Sequence, residues 1–108
     1  MSKITLLSYG LGNIRAFSNT LDQLRIPYSI ATRPSELDGA QKIILPGVGS
    51  FDWAMKKLND SGLRDKLDKM VLLEKIPILG VCVGMQIMAT RSEEGKTLGL
   101  GWIDGEVL

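Results

Sequence analysis

Residues 78–86 read Ile-Leu-Gly-Val-Cys-Val-Gly-Met-Gln. Pro77 followed by apolar Ile78 to Val81 predicts a short strand, and Met85 to Ala89 predict the beginning of a helix. Between them, Gly80 and Gly84 flank Cys82 in the pattern G-x-nucleophile-x-G. After a strand and before a helix, that pattern makes a sharp turn which lifts the central side chain above the sheet. Larger flanking residues would clash across such a turn. The ordinary fate of a free cysteine is to be a small buried hydrophobe. Here the two glycines favour an exposed nucleophile.

Outward from this stretch, strands and helices alternate. Ile4 to Ser8 predict a buried first strand ending at Gly10. Ile14, Phe17, Leu21 and Leu24 fall on one helical face, and the helix should stop before Pro27. Tyr28 to Ala31 predict a second strand, and Lys42 to Pro46, apolar from Ile43 to Leu45, a third. Helical sequence surrounds Trp53, Ala54 and Leu58 and breaks at Asn59-Asp60-Ser61-Gly62. A further helix turns Leu63, Leu67, Met70 and Val71 inward and Arg64, Asp65, Lys66, Asp68 and Lys69 outward. The glycine-rich tail from Arg91 predicts one more strand around Trp102 to Val107. Such alternation implies an α/β fold: an open, mainly parallel sheet with helices on both faces, its chemistry beyond the carboxyl ends of the strands.

Composition removes several function classes. The net charge of +1, with acids and bases interspersed, leaves no electrostatic footprint for nucleic acid or an anionic membrane. One cysteine and no histidine cannot complete a zinc set, so no metal is expected. A lone cysteine fits a reducing compartment, and the apolar run near the N-terminus is too short for a signal or a membrane span. The expected location is the cytoplasm.

Two further loops fall at the same rim. Gly10 and Gly12 supply the first two glycines of a dinucleotide fingerprint, but its third position is Arg15 and no acid follows about twenty residues on. A tight turn with Asn13 near the helix N-cap is the plainer reading. In Pro46-Gly47-Val48-Gly49 the glycines either end a buried strand or free backbone N–H groups to face a developing oxyanion. The N–H of Val83, next to Cys82, is a second such donor, and the helix start adds partial positive charge beside the sulfur.

SYGLGN, ILPGVGSFDWAM, GVCVGMQIM, SEEG and GLGWIDGEV, in this order across the whole chain, resemble the class I (triad-type) glutamine amidotransferases. They are most similar to the glutaminase subunits of imidazole glycerol phosphate synthases, in their N-terminal part only. The resemblance implies a flavodoxin-like fold and a cysteine glutaminase that needs no cofactor. Cys82 would attack the side-chain amide of glutamine, giving a thioester and ammonia. The oxyanion would be held by backbone N–H groups of Cys82 or Val83 and of Gly47 or Val48. Gln86 and Glu94 match positions that bind the substrate glutamine. The ammonia would pass to a partner cyclase, a (β/α)8 barrel, in histidine biosynthesis, with Asn13 and the PGVG loop facing that partner.

Departures from the family pattern carry expectations of their own. Family members activate the cysteine with a histidine oriented by a glutamate, both in a C-terminal segment, and this chain holds no histidine. Residues 1–108 therefore read as the N-terminal part of a single amidotransferase domain, inactive alone, with exposed apolar surface and an unpaired sheet edge. Ser8 stands where the family's opening motif usually has an acid. Relatives that feed ammonia to a sugar-aminating synthase in surface-polysaccharide pathways share the same chemistry. A non-catalytic flavodoxin-like binding module is the alternative from a different class.

Overall fold

Apolar runs stopped by glycine or proline make three of the four strands of the sheet. The computed structural model describes residues 4–11 and 14–108, and places β1 at Ile4–Leu7, β2 at Tyr28–Ala31, β3 at Lys42–Leu45 and β4 at Ile78–Gly80. The order is β2-β1-β3-β4, and every pairing is parallel. Leu6 sits opposite Ile30 and Ile44, and Ile44 opposite Leu79. Leu7, Ala31, Leu45 and Gly80 form the neighbouring row on the other face. A period of two thus divides the strands into two apolar faces.

The Leu7 face holds the core. Helix α2 (Phe51–Asp60) buries Phe51, Ala54, Met55 and Leu58, one stripe at helical spacing. Ser50 caps its start, its Oγ accepting from the Trp53 N–H at 3.1 Å. Helix α3 (Arg64–Asp68) continues into a π-turn over Lys69–Leu73. Leu63, Leu67 and Met70 are buried there as expected. Val71 is only half-buried, because the wider turn rotates it off the inward stripe.

Helix α1 (Ile14–Gln23) lies on the opposite face, where Leu21 is buried. The expectation that Leu24 shares that face is corrected: Leu24 is 62% exposed. The helix ends first, because Arg25 turns left-handed at φ 57° and the Ile26 N–H reaches back to the Leu21 carbonyl at 3.0 Å. Beyond α1 the Leu6 face is sparsely covered. Leu79, on the edge strand β4, is 60% exposed above an apolar groove of about 430 Å³.

The last third departs most from expectation. The helix read at Met85–Ala89 begins earlier and is one turn long, α4 at Val83–Gln86. The chain then tightens, the Met88 and Ala89 N–H groups bonding the carbonyls of Met85 and Gln86. Of the strand expected around Trp102 to Val107, Glu106–Val107 forms (β6). It pairs in parallel with a strand at Arg91–Ser92 (β5), and the backbone from Trp102 to Gly105 bends instead. Among the described residues no helix is long and apolar enough to cross a membrane.

Candidate active site

Cys82 occupies the bend between β4 and α4, at the carboxyl end of the sheet. Its backbone stands at φ 55° and ψ −124°, a region that L-residues seldom enter, and its side chain is exposed. Val81 extends the pairing of β4, its N–H donating to the Leu45 carbonyl at 3.0 Å. The chain then reverses at once: the N–H groups of Met85 and Gln86 bond the Cys82 carbonyl at 3.0 and 3.2 Å.

The flanking glycines are required by what surrounds them. A Cβ on Gly80 would lie 2.6 Å from Met85 Cα, and one on Gly84 only 2.0 Å from the Leu45 carbonyl oxygen. The third contact joins two loops: a Cβ on Gly47 would stand 2.3 Å from the Gly84 nitrogen and 2.8 Å from the Val83 carbonyl carbon. The PGVG loop and the cysteine turn therefore touch backbone to backbone. Val83 opens α4, so its amide is one of the donors that a helix start leaves without an intrahelical partner. With one turn behind it, α4 contributes these local amides and little cumulative dipole.

Tyr9, to which the motifs assign no role, fixes the PGVG loop from beneath. Its phenol, 4% exposed, donates to the carbonyl of buried Pro46. The Pro46–Gly47 peptide is trans, so anchoring that carbonyl turns the Gly47 N–H the opposite way. Burial pushes the Tyr9 phenol up from its ordinary value of 10.0. A proton held more tightly in the folded state means stability that is full below pH 10.0 and declines as the pH rises beyond it. Tyr9→Phe is expected to cost about 1–2 kcal/mol in urea unfolding at neutral pH. It should also remove part of the alkaline loss of stability.

Gln86 and Glu94 line one pocket of about 330 Å³, together with Gly49, Ser50, Asp52 and Ser92. Cys82 does not line it. The cysteine borders the apolar groove instead, with Val48, Val81 and Leu79. The PGVG loop divides the two spaces, Val48 on the groove and Gly49 on the pocket. Asn13 lies outside the described residues. A second residue without an assigned role in the motifs is Asp52, on the first turn of α2. Its carboxylate accepts from the Lys96 N–H at 2.9 Å and from the Thr97 N–H at 3.0 Å. These backbone donors hold it below the usual carboxylate range. Among the described residues no cluster of three metal-ligating side chains forms.

Comparisons with known proteins identify the family. The family model "Glutamine amidotransferase class-I" matches residues 8–98. Subunit HisH of imidazole glycerol phosphate synthase from Bdellovibrio bacteriovorus is 54% identical over 104 residues, covering 96% of this chain and 51% of that protein. The HisH subunit of Leptospira interrogans is 55% identical over 104 residues, again 96% of this chain and 51% of the relative. The chain thus spans about half the length of the curated relatives it matches. A solved structure described as a glutamine amidotransferase superposes with a TM-score of 0.79 at 23% identity, covering 95% of this chain and 54% of that one. That likeness concerns the fold. With the family pattern running through both glycine loops and the cysteine turn, the chain belongs to the class-I glutamine amidotransferase family.

Proposed function

We propose that these residues are the N-terminal part of one amidotransferase domain, the glutaminase subunit of a cytoplasmic imidazole glycerol phosphate synthase. The supporting observation is the contact between Gly47 and the Val83–Gly84 peptide, which sets the PGVG loop beside an exposed cysteine on a strained turn.

In this reading the Cys82 sulfur adds to the side-chain carbonyl carbon of glutamine. The amides of Val83 and of Gly47 or Val48 receive the charge that develops on the oxygen. The C–N bond then breaks, the nitrogen leaves as ammonia after taking up a proton, and water cleaves the remaining thioester to glutamate. Gln86 and Glu94 hold the amino-acid end, a carboxylate meeting the ammonium. The chain has no histidine, so the proton-transferring base comes from outside these 108 residues. In histidine biosynthesis the ammonia passes to a cyclase, whose (β/α)8 barrel docks on the rim that carries the PGVG loop.

Two measurements test the reading. The full-length protein is expected to hydrolyse glutamine and to accelerate when the cyclase binds, with a glutamine-like electrophile labelling Cys82. The 108-residue chain alone is expected to show no useful turnover. Glutaminase activity at an ordinary enzymatic rate from that chain would defeat the need for an external base. Stimulation by a sugar-aminating synthase instead of the cyclase would reassign the partner.

A further inference from the structure

The outer wall of the Gln86–Glu94 pocket is irregular backbone. No helix or strand covers residues 93–97, yet Glu94 has to present its carboxylate at a fixed place. On one side the wall is tied to β5 and β6: the Glu93 N–H donates to the Val107 carbonyl at 2.7 Å, and the Gly95 N–H to the Ser92 carbonyl at 3.2 Å. On the other side it is tied by a single side chain. The Asp52 oxygens accept both consecutive amides, Lys96 at 3.1 and 2.9 Å and Thr97 at 3.0 Å. A Cβ on Gly95 would lie 2.5 Å from Asp52 Oδ1, so the loop backbone is pressed against the carboxylate. Asp52 itself is well placed to anchor, one residue after buried Phe51 in a helix whose start is capped by Ser50. Hydrogen bonds to an ionised acceptor are roughly twice as strong as neutral ones.

We propose that Asp52 is a positioning residue for the amino-acid substrate: it clamps residues 95–97 to α2 and thereby fixes Glu94 in the pocket. The inference rests on reading that pocket as the site of glutamine's amino-acid end. Asp52 makes no bond to the substrate in this scheme. It acts through the loop.

The test compares wild type with Asp52→Ala and Asp52→Asn in the full-length protein, reading amide hydrogen exchange and L-glutamine affinity by calorimetric titration. Exchange at Lys96 and Thr97 should quicken at least about tenfold in Asp52→Ala, and less in Asp52→Asn, which keeps a neutral acceptor. The glutamine Kd should rise by about tenfold or more in the same order. Alkylation of Cys82 by iodoacetamide, which needs no amino-acid recognition, should keep its wild-type rate. Unchanged exchange at both amides would overturn the clamp. Faster exchange with unchanged Kd would overturn the positioning role and leave Asp52 merely structural. A wild-type protein that binds no glutamine would remove the reading of the pocket, and Asp52's role towards substrate with it, while exchange still reported whether the clamp exists.

Discussion

Replacing Cys82 by glycine is expected to stabilise the protein while abolishing glutamine turnover. The two effects have separate causes. A side chain at φ 55° and ψ −124° carries strain on the order of 1–3 kcal/mol, whereas glycine enters that region freely. Part of the relief is lost to the greater flexibility of glycine in the unfolded chain, so the net gain should be about 1 kcal/mol. Thermal unfolding would register it as a rise of a few degrees. On the proposed mechanism, turnover by the full-length protein should fall at least about ten-thousand-fold, because no other group would form the thioester. Cys82→Ala separates the causes: equally inactive, but still strained and so no more stable than wild type. A Cys82→Gly protein less stable than Cys82→Ala would mean that the turn is not strained as described.

The second large effect belongs to Gly84→Ala. Its added methyl would fall 2.0 Å from the Leu45 oxygen and 2.9 Å from the Pro46 carbonyl carbon, both backbone atoms, so no side-chain rotation relieves the clash. The Leu45 oxygen also accepts the Val81 N–H, and moving it loosens the join between β3 and the cysteine turn. A loss of about 3 kcal/mol or more in chemical unfolding is expected, near the upper range for overpacking. Gly105→Ala is the control. Nothing lies within 4 Å of its Cβ, and it should change stability by less than about 0.5 kcal/mol. Equal effects at the two positions would refute the close approach of the loops.

Much of the fold was legible because it was written locally. Ile43, Ile44 and Leu45 declare a buried strand by composition and Pro46 declares its end; the spacing of Gly80 and Gly84 around Cys82 announces the turn. Leu24 was misread because periodicity does not show where a helix stops, and Arg25 ends this one in a conformation its residue type does not advertise. Strand β5 and its pairing with β6 escaped notice, and β6 was read too long, for another reason. Each strand is two residues long, and their pairing joins positions fifteen apart, such as Arg91 and Glu106. Asp52 was the least legible of the site residues. Its partners lie 44 and 45 positions further along the chain, and no local pattern marks an acid in a first helical turn as the tether of a distant loop.

The division of the site by the PGVG loop has a consequence for which amino acids can react. For the proposed substrate, one end is grasped on the Gly49 side while the sulfur waits on the Val48 side, so the molecule between them serves as a ruler. Asparagine, shorter by one methylene, would seat its charged groups yet leave its amide short of Cys82, occupying the protein as a competitor that is never cleaved.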